Sequence, residues 1–315
     1  MEGDIRSACA TVALPGTCGE WVQGTLDGTP CLVSCPIDWY AQVTIVLNDS
    51  SQQWRVPPDA PKTFAALRRA LAARGAPPVG GIVRLDNPLP RGRGYASSTA
   101  DVAGTIYALG EVLGRPFTPA EVARLAVCVE PSDSIMFPQL ALFAHRDAAF
   151  HKVLGPLPPM GVVVLDPGGA VDTLAFNAAD HRAALRRLAP LHREAFGMLE
   201  AGLASGDARL IAQAATMSAV AHQAVLSNPL VDEAMRLAKR IGAWGICRAH
   251  SGTLVGILCD PEETPDRVAW LSARLPAGVV ARPYRCVSGF AHIDIHDTCR
   301  EKHASPLSEW PNYRG

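Results

Sequence analysis

Residues Leu89-Pro90-Arg91-Gly92-Arg93-Gly94-Tyr95-Ala96-Ser97-Ser98-Thr99-Ala100-Asp101 are of the types needed to hold an anion. Gly92 and Gly94 let the backbone bend sharply and approach a ligand with no side chain in the way. Ser97, Ser98 and Thr99 are natural first-turn residues, with hydroxyls free to cap a helix or to bind. A glycine turn opening a helix aims unpaired N–H groups and the positive end of the helix dipole at one point, where phosphate is the usual guest. The run has no Gly-Lys-Ser/Thr ending, which excludes a Walker-type loop. Ser97 stands where a dinucleotide fingerprint requires its third glycine. Arg91 and Arg93 flank the loop and could reach phosphate or lie solvated. Glu130 and Asp133, three residues apart at a helix end, form a carboxylate pair in a second polar segment. An aspartate within hydrogen-bond reach of an attacking hydroxyl is what general base catalysis asks for; the other reading is a surface pair with Asp133 capping a turn.

These residues need elements to position them. The loop lies between a strand-like stretch, Gly80 to Leu85, and an apolar, proline-free stretch, Val102 to Leu113, that reads as a helix. Upstream, Cys9 to Leu14 reads as a strand entering a polar turn, Pro15 to Glu20. Gly24 to Pro30 reads as a loop, and Ile37 to Leu47 as a half-buried alternating strand. Pro61 to Arg74 has apolar residues at helical spacing and is stopped by Gly75. Thr118-Pro119-Ala120-Glu121 carries a capping box that opens a helix to about residue 129. A proline-rich joint, Pro156 to Pro159, precedes a buried strand, Gly161 to Asp166. Helices follow at about 179–203, 207–226 and 229–241. Strands are expected at 244–248 and 253–259 around the turn Ala249-His250-Ser251-Gly252, then a helix at 262–275 and strands at 279–284 and 289–295. Mixed elements in both halves give an α+β, two-domain reading, with domains at 1–157 and 158–300 and a mobile tail at 301–315.

Composition narrows the function. With 29 Lys and Arg against 30 Asp and Glu the net charge is −1, which gives no support for nucleic acid or anionic membrane as a partner. No apolar run approaches the roughly 20 residues a membrane helix requires. Residues 1–9 show no secretory pattern, so a cytoplasmic, soluble protein is expected. The nine cysteines include no Cys-x-x-Cys and are expected reduced and mostly buried. Cys18, inside a polar turn, is the one with a possible catalytic reading.

The polar segments occur in an order that resembles the GHMP small-molecule kinases, and more narrowly the L-threonine kinases of cobalamin biosynthesis. The marks are Pro-Gly-Thr-Cys-Gly-Glu (15–20), Leu-Val-Ser-Cys-Pro-Ile-Asp-Trp-Tyr (32–40), Gly-x-Gly-x-Ala-Ser-Ser-Thr-Ala-Asp (92–101), Glu-Pro-Ser-Asp-Ser-Ile-Met-Phe-Pro (130–138) and Ala-His-Ser-Gly-Thr-Leu-x-Gly-Ile-Leu (249–258). The resemblance implies an N-terminal domain like domain 2 of ribosomal protein S5 and a ferredoxin-like C-terminal domain. It also implies ATP, Mg2+ and phosphoryl transfer to a small hydroxyl amino acid, giving O-phospho-L-threonine for the aminopropanol linker of cobalamin. L-serine or homoserine as the acceptor, or an ATP-binding regulator without turnover, are the competing readings.

By the same resemblance ATP is held by Pro90, Arg91, Gly92, Arg93, Gly94, Tyr95, Ala96, Ser97, Ser98 and Thr99, with Ser251 and Gly252 reaching it from the second half. Ser98 and Glu130 match magnesium ligands. Asp133 matches the proton acceptor, or else positions the substrate. Glu20 meets the substrate ammonium or pairs with an arginine. Asp38 and His250 are further substrate candidates, Asp38 also reading as a structural strand-end residue. Many members of the wider family carry Lys or Arg where this chain has Thr17, so the role of that cation must be filled elsewhere or is absent. His222 reads as a satisfied core histidine. Arg146, Arg248, Arg282 and Arg285 are unranked candidates for a substrate carboxylate.

Overall fold

The computed structural model describes residues 8–48, 51–76, 78–169, 181–289, 292–296 and 312–314. Its backbone is a long hairpin, β1 (Cys9–Leu26) and β2 (Thr29–Asn48). The two residues between them, Asp27 and Gly28, both have positive φ, 48° and 84°. That is the geometry of a tight turn whose twist matches the flanking strands. The expected loop at 24–30 is therefore mostly strand.

Around this hairpin the described strands form one 12-stranded sheet. On one side β2 pairs antiparallel with β4 (Gly80–Asp86), and β4 pairs parallel with β3 (Gln53–Arg55). On the other side β1 meets β8 (Gly245–Arg248) at Glu20 and Arg248. From there the sheet continues through β9 (Val255–Cys259), β7 (Gly161–Asp166) and β10 (Val280–Arg285). β5 (Leu140–Phe143) pairs with β6 (His151–Gly155) and touches β2 at Leu32. β11 (His292–His296) adds to β1, and β12 (Asn312–Arg314) lies along β3. The expected joint at 156–159 falls between β6 and β7, and the sheet is continuous across both halves. Most of the expected tail, residues 301–311 and 315, lies outside the described residues.

Pro15 to Glu20 is not a turn but part of β1. The pairing of β1 with β2 shifts register between Pro15 and Gly16, between Thr17 and Glu20, and between Glu20 and Val22. Extra residues absorbed into a strand in this way kink it and re-aim its side chains. Turn-forming residues thus build a bulged strand because the long partner β2 keeps pairing on either side.

Helices cover the sheet: α1 (Pro61–Arg74), α2 (Ser97–Val112), α3 (Pro119–Val127), α4 (Arg182–Ser205), α5 (Ala208–His222), α6 (Pro229–Arg240) and α7 (Thr264–Ser272). Thr118 caps α3 with the expected capping box to Glu121, and Gly75 ends α1 at φ 53°. α2 is apolar on nearly every side, as a helix buried on all faces must be. A Cβ on Gly104 would fall 2.7 Å from Val43, so that glycine lets α2 lie close against β2. The main core fills the space under α1–α5, and a second cluster lies between α6, α7 and β7–β10. Seven described cysteines are free thiols, of which Cys128 is exposed, whereas Cys9 is disulfide-bonded, against the expectation of reduced thiols throughout.

Candidate active site

The expected loop bridges β4 and α2, and its shape is fixed from four directions. Asn87, just past β4, donates to the Ser97 carbonyl (3.0 Å), Ser97 Oγ (3.1 Å) and Asp101 Oδ1 (2.8 Å), and accepts from the Leu89 N–H (2.9 Å). From β1, Thr17 N–H donates to the Tyr95 carbonyl (3.1 Å), while Thr17 Oγ1 (2.8 Å) and Gly19 N–H (3.2 Å) donate to the Gly94 carbonyl. From the turn after β8, the N–H groups of Thr253 (2.9 Å) and Leu254 (3.2 Å) donate to the Arg93 carbonyl. Arg93 Nη1 (3.0 Å) and the Tyr95 hydroxyl (3.2 Å) both reach Asp166 Oδ2 at the end of β7. Thr17, whose place was expected to want a cation, is thus a fastening residue.

Ala96 occupies the N-cap of α2 at φ 59°, and no side chain caps the helix. Ser97, Ser98 and Thr99 of its first turn line a cavity of about 410 Å³, and the N–H groups of a first turn have no partner within the helix. The serine and threonine hydroxyls that could have capped are used otherwise. Ser98 Oγ donates to Glu130 Oε1. Thr99 Oγ1 donates to Asp133 Oδ2 (2.8 Å) and accepts the Asp133 N–H (3.2 Å). The remaining Glu130 oxygen meets Lys62 Nζ at 2.5 Å, reaching in from the first turn of α1. Next to the loop stand two hydroxyl–carboxylate pairs and one lysine.

Deeper in the cavity lie Glu20, His145 and His250. Glu20 is buried, and among the described residues its Oε2 has no hydrogen-bond partner. Burial first, and then the nearby Asp133 charge, hold its carboxyl well above the usual range. Burial also raises Asp133, opposed by the hydrogen bonds from Thr99 and Glu20. Burial and the Asp133 charge thus both favour the neutral form of Glu20, while its hydrogen bond favours the ionised form of Asp133. His250 Nδ1 lies 2.6 Å from Gln23 Oε1, and burial pushes its imidazole down to about 3. His222 is a core histidine bonded to the His250 carbonyl at 2.9 Å.

Not every expected residue reaches the cavity. Arg93 turns away because Asp166 claims its guanidinium. Gly252 sits behind the loop, where a Cβ would lie 2.1 Å from the Arg93 carbonyl, and only Ser251 of that pair lines the cavity. Asp38 is exposed and accepts the Arg285 N–H at 2.9 Å, outside the cavity. Cys18 is buried, and its hydrogen bond with Cys247 together with burial drives the thiol well above its usual range, the reverse of a nucleophile. Arg91 lines the mouth, bonded to the Asp59 carbonyl at 3.2 Å. Sequence reasoning passed over Lys62 and His145. Lys62 looked like any solvated lysine on an amphipathic helix, and His145 follows a strand with no motif around it.

Two comparisons decide the family. Residues 61–137 match the GHMP kinases N terminal domain, and residues 199–269 match the GHMP kinases C terminal domain. L-threonine kinase of Salmonella typhimurium is 32% identical over 257 residues, spanning 80% of this chain and 83% of that protein. The chain belongs to the GHMP kinases. L-threonine kinase of Citrobacter freundii is 30% identical over 266 residues, 83% of this chain and 91% of its own length. Among solved structures, homoserine kinase from Cytophaga hutchinsonii covers 94% of this chain and 99% of its own at 17% identity, with a TM-score of 0.68. This GHMP kinase is a small-molecule kinase with the family's two-domain fold of mixed helices and strands. Among the described residues no helix is long and apolar enough to cross a membrane.

The donor set suits a family that uses ATP. Among the described residues no cluster of three or more His, Cys, Asp or Glu side chains could hold a metal by itself. Magnesium needs no such cage: it takes one or two protein oxygens and completes its shell with phosphate and water. The paired Ser98 hydroxyl and Glu130 carboxylate are oxygens of that kind.

Proposed function

We propose that this kinase transfers the γ-phosphoryl group of ATP to the side-chain hydroxyl of L-threonine, giving O-phospho-L-threonine. The observation that carries the reading is the placement of Ser98–Glu130 and Thr99–Asp133 side by side at the open end of α2, with buried Glu20 behind them. The N–H groups of residues 97–99 and Lys62 hold the triphosphate. Ser98 and Glu130 would hold magnesium, which would offset charge on the transferred group. Asp133 orients the threonine hydroxyl and takes its proton as the oxygen attacks phosphorus and the bond to ADP breaks. Glu20 receives the substrate ammonium, since a cation set against its unpartnered Oε2 supplies what the buried carboxyl lacks. The product fits the aminopropanol linker of cobalamin, in keeping with the L-threonine kinases that the chain resembles.

A coupled ADP-release assay over L-threonine, L-serine and L-homoserine tests this. L-threonine should give the highest kcat/KM. A preference for either alternative moves the assignment to that acceptor, and ATP binding without ADP release from any of them refutes catalysis.

A further inference from the structure

His145 is buried, lines the same cavity as Glu20 and Asp133, and among the described residues neither of its ring nitrogens has a hydrogen-bond partner. Leaving both nitrogens of a buried imidazole unpaired is costly, so a side chain held this way is built for a ligand. The ring is rigidly set. Its own carbonyl accepts the Ser132 N–H at 2.9 Å, which ties it to the Glu130–Asp133 segment, and its face stands at 69° to the His250 ring, with centroids 4.9 Å apart.

Glu20 and Asp133 line the same cavity, and positive charge comes from Arg146 beside His145 and from Arg248 near His250. Arg248, wholly buried on β8, bonds only to neutral acceptors among the described residues: Gln223 Oε1 at 2.7 Å and the carbonyls of Leu226 at 2.9 Å and Ala249 at 3.3 Å. Among the described residues its Nη2 has no partner. Arg146 acts on both imidazoles from the adjoining position, and burial holds His145 well below the usual histidine range. A neutral imidazole beside a positive charge offers an N–H to an anion and resists taking a proton. The other arginines that could serve are engaged elsewhere: Arg282 lies 3.7 Å from Asp166, and Arg285 lies 3.0 Å from Glu262.

We propose that His145, with the Arg146 charge beside it, is the subsite for the α-carboxylate of the amino-acid substrate and the residue that selects amino acids over simple amino alcohols. This rests on the hydroxyl-amino-acid reading above. Asp133 takes the hydroxyl, Glu20 the ammonium and His145 the carboxylate. Three points around one carbon fix both identity and hand of the substrate.

The test compares L-threonine with 1-aminopropan-2-ol, which keeps the hydroxyl and ammonium and lacks the carboxylate. Binding is measured by calorimetry with a non-hydrolysable ATP analogue present, and turnover by ADP release. His145→Ala should weaken L-threonine binding about 10- to 100-fold, the usual range for a lost hydrogen bond to a charged group. The amino alcohol and the ATP analogue should bind as they do to the wild type. His145→Asn, which restores an N–H donor, should recover part of the loss. Equal losses for threonine and the amino alcohol, or no loss for either, overturn the subsite. A wild type that releases no ADP from any hydroxyl amino acid overturns the underlying reading as well, and the wild-type arm tells the two failures apart.

Discussion

Gly94 is where the loop before α2 leaves little room, and Gly94→Ala tests the loop's proposed role in holding phosphate. Its φ of 105° is a conformation that L residues rarely adopt, and a Cβ built there lies 2.4 Å from the Ala249 Cβ. Neither atom ends a flexible side chain, so the two backbones must separate by about 1 Å to reach ordinary contact near 3.5 Å. The displaced segment carries the Gly94 carbonyl that accepts from Thr17 and Gly19, and adjoins the Arg93 carbonyl that accepts from Thr253 and Leu254. Strained backbone of this kind costs about 1–3 kcal/mol. If nucleotide binding must restore the loop, that cost becomes a loss of roughly 5- to 150-fold in ATP affinity. Calorimetry gives the affinity, and circular dichroism verifies that the variant is folded. Adding Ala249→Gly removes the clash but leaves the φ strain, so the double variant should recover only part of the affinity. A folded Gly94→Ala with wild-type ATP affinity refutes the assignment of this loop to phosphate.

Asp133→Asn should lower kcat by about 10²- to 10⁴-fold with little change in ATP affinity, and should remove the acidic limb of the pH–rate profile, which the raised Asp133 places above the ordinary carboxylate range; retention of rate and limb shows that it is not the base. Ser98→Ala and Glu130→Gln should each raise the magnesium concentration needed for half-maximal activity; an unchanged requirement in both places the metal elsewhere. Lys62→Met keeps the stem and deletes the charge, and should lower kcat about 10- to 100-fold without unfolding the protein; an unchanged kcat means Lys62 only partners Glu130. Because the native Glu20 pKa is raised above its unfolded value, its contribution to stability is complete below the unfolded pKa and is lost as pH rises through the native one. Glu20→Gln should therefore flatten the fall in Tm with rising pH and lose threonine affinity, and an unaltered slope contradicts a raised Glu20 carboxyl.

Local punctuation made much of the fold and part of the site readable before any coordinates. The glycines, the hydroxyl triplet and the Thr118 capping box each act within a few residues, so their meaning survives in the chain. Long-range partners were the residues that misled. Arg93 looked like a phosphate ligand because Asp166, which claims it, is 73 positions away. Pro15 to Glu20 has turn composition, but a 20-residue partner strand holds it in the sheet. Asp38 was ambiguous until its acceptor role for the Arg285 N–H appeared. Lys62 and His145 gave no signal because a cavity, not a motif, makes them important.

The way the loop is held has a consequence for how the protein folds. The Thr17 hydroxyl and the Gly94 carbonyl are separated by 77 residues, and the Arg93 carbonyl finds its donors beyond residue 250. Contacts of such separation carry a high loop-closure entropy and form late. The loop is therefore assembled from both halves of the chain: a fragment ending at the Pro156–Pro159 connection would keep the loop sequence and lose two of its donors. In native-state hydrogen exchange, the amides of Gly19, Thr253 and Leu254 should open together as one cooperative unit, and nucleotide should slow all three at once.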